Sequence, residues 1–224
     1  MSLAEFLAAQ LRQPSGFFGR YFMVHLLNRM NVPLNNLALE TLRLDSRDHV
    51  LEIGFGGGDL MAKMSRVLPQ TRLSGVDYSQ DAVDACSKRF AKNIKDGIID
   101  LQCANVESLP FEPGTFTKVC TVNTIYFWPV PLVALRQTHR VLKEDGTLVI
   151  CFTPRAVLEK RGSVVHHGFT LYEPEDVIAL LTETGFRDVQ IVYGKDRFGA
   201  CAAIYWKEII SAGESLCDGL LSRP

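Results

Sequence analysis

The chain of 224 residues sets 24 Lys+Arg against 25 Asp+Glu, a net charge of −1, with 47% hydrophobic residues. That length suits one domain with an appended segment and buries enough surface to need neither a disulfide nor a metal staple. The balanced charge leaves no electrostatic footprint for nucleic acid, and the longest apolar stretch near the start, Phe17–Leu27, is interrupted by Arg20 and His25 and is too short to span a bilayer.

Met1–Gln10 lacks the basic and apolar regions of a signal peptide. The cysteines at 86, 103, 120, 151, 201 and 217 form no C-x-x-C pair and fit no zinc spacing, so no metal is expected. Cys103, Cys120, Cys151 and Cys201 fall in apolar runs and read as small buried hydrophobes in a reducing cytoplasm, with a catalytic thiol as the other reading.

In chain order, Leu3–Leu11 is a short helical pattern broken at Gln13-Pro14-Ser15-Gly16, and Phe17–Met30 and Leu34–Leu44 are two further helical patterns. Residues 1–48 therefore read as a helical N-terminal extension, either a lid near the glycine loop described below or a helix that only covers the sheet. From His49 strands and helices alternate. The strands are His49–Phe55, Thr71–Asp77, Ile98–Ala104, Phe116–Asn123 and Thr147–Phe152; the helices are Asp59–Leu68, Gln80–Lys92 and Pro131–Leu142. A helix from Glu173 ends at Gly185, and strands Asp188–Tyr193 and Ala200–Trp206 are too close for a helical crossover, so they pair as an antiparallel hairpin. Near-continuous apolar strands alternating with helices predict a doubly wound α/β fold with a seven-stranded, mostly parallel sheet and one antiparallel strand. The chain divides into the extension 1–48, a domain 49–210 and a tail 211–224.

The segment Val50-Leu51-Glu52-Ile53-Gly54-Phe55-Gly56-Gly57-Gly58-Asp59 is a strand that breaks into glycines and re-enters as a helix. Such a loop brings backbone close to a ligand at the carboxyl end of a strand. A dinucleotide fingerprint would put Gly or Ala where Asp59 stands, and a carboxylate there repels a pyrophosphate. The pattern that fits is acid-x-Gly-x-Gly-x-Gly: Glu52, Gly54, Gly56 and Gly58. Asp77 closes the second strand 19 residues after Gly58 and is placed either to hold ribose hydroxyls or to cap the following helix. Tyr78 beside it is placed to lie against an adenine face.

With Gly-Val-Asp-Tyr-Ser at 75–79, Asn-Val-Glu-Ser-Leu-Pro-Phe at 105–111, Val-Asn-Thr-Ile-Tyr-Phe-Trp at 122–128 and Arg-Val-Leu-Lys-Glu-Asp-Gly-Thr-Leu at 140–148, the chain resembles a class I S-adenosylmethionine-dependent methyltransferase from His49 to Lys207. It is similar to the group that includes the ubiquinone and menaquinone biosynthesis methyltransferases. The resemblance implies a Rossmann-like fold and S-adenosylmethionine as cofactor. It also implies that Gly54, Gly56 and Gly58 pass under the methionine part and that Glu52 faces the cationic end. Asp77 would hold the ribose, Asn105 and Val106 the adenine, and the Asn123 carbonyl the cofactor's amino group. The chain departs from the family at Asn105, often Asp there, at Phe116-Thr117, often Phe-Asp, and at Glu144-Asp145-Gly146, usually Pro-Gly-Gly.

A sulfonium methyl is already a strong electrophile, so the protein chiefly aligns an acceptor and excludes water. Tyr126, His166 and Tyr21 are the candidate catalytic residues, with His167 and Arg20 as neighbours; packing or solvated roles stand beside each. Aromatic residues at 17, 18, 21, 22 and 126–128 point to a small apolar or aromatic methyl acceptor, or to ordinary core. A catalytically silent cofactor-binding protein and a nicotinamide-dependent oxidoreductase are the alternatives.

Overall fold

A computed structural model describes residues 5, 24–161, 165, 167–196 and 199–207. Helix α1 (Val24–Leu42) precedes strand β1 (His49–Ile53) and α2 (Asp59–Val67). Next come β2 (Arg72–Asp77), α3 (Gln80–Arg89), the short α4 (Ala91–Lys95), β3 (Ile99–Cys103) and β4 (Phe116–Val122). A 3-10 turn (Ile125–Phe127) leads to α5 (Pro131–Val141) and β5 (Leu142–Phe152). The short α6 (Arg155–Leu158), α7 (Pro174–Glu183), β6 (Gln190–Asp196) and β7 (Gly199–Lys207) complete the described elements.

The seven strands lie in the order β3-β2-β1-β4-β5-β7-β6. Pairings from β3 to β5 are parallel, and β7 runs antiparallel to both β5 and β6. The strand order reverses between β1 and β4, so the loops that follow those two strands flank the crevice where such sheets take ligands. Two apolar layers cover the sheet. On one face, Val50 and Cys120 pack with Leu34, Leu60, Met64 and Phe90 from the first helices. On the other, Leu51, Val119 and Ile150 pack with Leu135, Val177 and Leu181 from α5 and α7. Side chains on one strand alternate between the faces, so Glu52 shares the Val50 face with α2.

Three sequence expectations change. Pro33 does not separate two helices: α1 runs through it, because Leu34, Leu37, Ala38 and Leu42 form one buried stripe whose packing outweighs the hydrogen bond lost at proline. The fifth strand starts at Leu142 rather than Thr147, with a register shift between the pairs Phe116–Leu142 and Lys118–Thr147 that loops out the polar residues between them. Cys103, expected in the core, is exposed near the sheet edge; Cys86, Cys120 and Cys151 are buried. Among the described residues no helix is long and apolar enough to cross a membrane, and no three His, Cys, Asp or Glu side chains cluster as a metal site.

Candidate active site

The glycine loop leaves β1 through three left-handed residues, Gly54 (φ 73°), Gly56 (φ 51°) and Gly58 (φ 72°). The reasons for glycine differ. A Cβ at Gly54 would stand 2.4 Å from the Thr124 methyl, and one at Gly58 would stand 2.7 Å from the Phe90 ring and 3.0 Å from Cys86 Sγ. A Cβ at Gly56 would meet nothing within 4 Å among the described residues. Gly54 and Gly58 are thus glycine for the protein's own packing, while Gly56 meets no side chain among the described residues.

Asp77 fastens this loop. Its Oδ2 accepts the Gly56 N–H at 2.8 Å and its Oδ1 accepts the Ser79 N–H at 2.8 Å. Ser79 is itself the N-cap of α3, accepting from Ala82 N. Each carboxylate oxygen retains a further lone pair, so the carboxylate that shapes the loop also keeps acceptors for a diol. Burial pushes its pKa up, against the two backbone donors, which lower it. Tyr78 is exposed, its ring uncovered next to Asp77.

Glu52 is buried, and its Oε2 has no hydrogen-bond partner among the described residues. Burial first, then the neighbouring Asp77 charge, raises its pKa to about 8, opposed by the Met61 backbone N–H at the start of α2. A buried carboxyl with an unmet oxygen, beside a second acid, makes this corner receptive to positive charge.

Asn105 is exposed and its Oδ1 accepts the Glu107 N–H at 3.0 Å, a local turn that occupies one of the oxygen's two lone pairs. Val106 is buried against the core and forms a wall rather than a contact in solvent. Glu107 reaches on to cap the next helix, accepting from Val130 N at 2.7 Å.

Asn123 directly follows β4 at φ 56°, one of three described non-glycine residues with positive φ. Its amide nitrogen donates to Asn31 Oδ1 at 2.8 Å, bringing α1 to the crevice. Tyr126 is buried, and its hydroxyl accepts the Thr153 N–H at 2.6 Å while lying 2.9 Å from Thr153 O and 3.0 Å from Asn123 Oδ1. A hydroxyl carries one proton and two lone pairs. Here the proton and one lone pair brace the ends of β4 and β5. Over this brace, Thr170 N donates to Tyr126 O at 3.0 Å, and Phe169 packs on Phe127 with ring centroids 4.6 Å apart. His167, half-buried, lies in the same segment. His166, Tyr21 and Arg20 lie outside the described residues, as do the aromatic residues at 17, 18 and 22.

One inference from the sequence needs correction. Asp59 does not present a bare charge at the start of α2, because Arg89 Nη1 pairs with its Oδ1 at 2.7 Å. The repulsion of a pyrophosphate is therefore weaker than the sequence suggests. Of the three departures, Thr117 sits at the far end of the sheet, where its hydroxyl donates to Asp48 Oδ1 at 2.8 Å and accepts His49 N–H. Arg89, Thr124 and Asn31 carry roles that the sequence reading missed. Thr124 lies inside a motif already noted; nothing in the sequence marks the other two.

Comparison with known proteins agrees with this geometry. A family model described as a methyltransferase domain matches residues 51–150. The chain is 26% identical over 180 residues to the uncharacterized methyltransferase YdaC of Bacillus subtilis, covering 80% of this chain and 94% of that one. It is 29% identical over 197 residues to the ubiquinone/menaquinone biosynthesis C-methyltransferase UbiE of Geobacter sulfurreducens, covering 76% of each. Among solved structures it superposes on a Thermotoga maritima protein described as an S-adenosylmethionine-dependent methyltransferase, possibly acting on histamine, with a TM-score of 0.65 and 21% identity over 85% of this chain and 96% of that one. The matched methyltransferase domain, these relatives and the sheet order together support a class I S-adenosylmethionine-dependent methyltransferase.

Proposed function

We propose that this enzyme methylates a small apolar or aromatic acceptor, and that the cofactor lies on Gly54–Gly58. The observation that carries the seat is the contrast within the loop: among the described residues nothing stands within 4 Å of a Cβ at Gly56, while the glycines on either side are closely packed by the protein. S-adenosylmethionine supplies an electrophilic sulfonium methyl. Around it, Asp77 keeps lone pairs for the ribose, Tyr78 offers a ring for the adenine, and Glu52 offers a buried acid to the cationic end. Asn105 and Val106 bound the adenine side, and Asn123, turned by its positive φ, bounds the amino-acid side.

The acceptor approaches where β4 and β5 end. The aromatic group Tyr126, Phe127 and Phe169 at that end favours an apolar partner, as does the likeness to a relative named for quinone biosynthesis. Tyr126, with its hydroxyl committed to Thr153 and Asn123, braces this wall, and alignment and exclusion of water supply the rate.

The test is turnover of methyl-labelled cofactor on a panel of hydrophobic phenols and quinols beside small polar amines. Labelling of the hydrophobic set is expected. Turnover confined to the polar amines would overturn the acceptor class, and no binding of S-adenosylhomocysteine would overturn the seat.

A further inference from the structure

The glycine loop is gripped from behind by the last turn of α3. Cys86 Sγ lies 3.4 Å from Gly56 O. Arg89 Nη1 donates to Gly57 O and, at 2.7 Å, to Asp59 Oδ1. The Arg89 guanidinium also lies 5.3 Å from the Phe90 ring centroid, and that ring fills the space beside Gly58. The other end of the same helix holds the loop's front through Asp77 and Ser79.

Three consecutive glycines have little conformational preference of their own, and each added residue of freedom costs entropy to fix when a ligand binds. A carbonyl held from behind fixes its peptide plane; the Gly58 N–H of the Gly57 plane already turns inward to Phe55 O at 2.8 Å, so Arg89 acts by stiffening this turn rather than by aiming that N–H outward. One guanidinium nitrogen that meets both Gly57 O and Asp59 joins the loop to the start of α2 and offsets the charge of Asp59.

We infer that Arg89 is a positioning residue of the cofactor seat, acting through Gly57 and Asp59 to set cofactor affinity. This rests on the reading of Gly54–Gly58 as that seat. It makes Asp59 and Arg89 a functional pair rather than two unrelated surface charges.

The experiment is titration calorimetry of the full chain with S-adenosylhomocysteine, beside thermal melts without ligand. Arg89→Ala is expected to raise Kd about tenfold, a loss of roughly 1.4 kcal/mol of binding, with a melting temperature close to wild type because the side chain is partly exposed. Arg89→Lys is expected to recover most of that affinity, since one ammonium can meet both acceptors. Adding Asp59→Asn to Arg89→Ala is expected to recover little, since Gly57 O stays unheld. A Kd for Arg89→Ala within twofold of wild type overturns the inference. So does full recovery with Asp59→Asn, which would leave charge neutralisation as the whole effect, and so does failure of Arg89→Lys to recover affinity. If Arg89→Ala does not fold, Arg89→Lys and Arg89→Gln decide: both binding like wild type overturns the inference, and Lys tight with Gln weak supports it. Failure of the wild type to bind would sink the seat itself, a separate outcome.

Discussion

Asn31 and Asn123, 92 residues apart in the chain, share a 2.8 Å hydrogen bond that ties α1 to the end of β4. Asn123 holds a left-handed backbone there, which asparagine tolerates better than most residues. Its amide nitrogen faces α1 and its amide oxygen faces the Tyr126 hydroxyl, so a single side chain links helix, strand and turn. Asn31→Ala removes a half-buried partner and is expected to cost about 1 kcal/mol of stability. Hydrogen exchange should quicken along α1 and stay unchanged in β4. Equal protection in α1 would mean that its apolar stripe alone fixes it.

Asp77 anchors two backbone donors and, in the proposed site, two ribose hydroxyls. Asp77→Ala leaves Gly56 N and Ser79 N without their partners and removes the acceptors for the ribose. Hydrogen bonds to a charged group are worth about 1.5–3 kcal/mol each, so affinity for S-adenosylhomocysteine should fall roughly a hundredfold or more. Asp77→Asn keeps one acceptor oxygen and should fall between. Calorimetry that finds similar affinity for wild type and Asp77→Ala would remove the ribose role.

The parts of the fold set by local pattern were readable from residues alone. Glycines after an apolar strand, an acid closing the next strand and a hairpin too short for a crossover fixed the loop, Asp77 and the antiparallel β7. What could not be read depends on contacts distant in sequence. Pro33 looks like a helix stop until the buried stripe beyond it is seen. Cys103 looks like core until β3 is found at the sheet edge. Asp59 looks like an open charge until Arg89, 30 residues on, folds back over it. In the same way Tyr126 reads in sequence either as a catalytic candidate or as packing, and only the fold shows Thr153, 27 residues later, engaging its hydroxyl.

Gly54 and Gly56 should separate stability from binding. Gly54→Ala places a methyl against Thr124 in a backbone that already disfavours a side chain. Strain of about 1–2 kcal/mol from the left-handed backbone adds to the clash, and the melting temperature should drop by several degrees. Gly56→Ala carries similar backbone strain but no clash, so it should melt closer to wild type. Its methyl group enters the space assigned to the cofactor, and affinity should fall tenfold or more. Tight binding by Gly56→Ala would show that the cofactor does not approach this residue.

Glu52 gives the protein a pH dependence of definite sign. Its pKa rises on folding, from the ordinary 4.5 of a glutamate to about 8, because the carboxyl is buried beside Asp77. Above pH 4.5 the unfolded chain gives up that proton while the folded protein keeps it, so this group lowers stability progressively up to about pH 8 and then levels off. Each unit of difference corresponds to roughly 1.4 kcal/mol. Glu52→Gln, uncharged throughout, should therefore gain stability over wild type as pH rises from 5 to 8, read by denaturant melts. Asp77 and Asp59, the acids that oppose ionisation of Glu52, stay in place in both proteins. A cationic ligand at this corner favours the ionised carboxylate, so wild type should bind S-adenosylmethionine more tightly as pH rises from 6 to 8. Calorimetry in two buffers of different ionisation enthalpy should show a proton released on binding, and Glu52→Gln should lose that release. A pH-independent affinity with no proton release would place Glu52 away from the positive charge.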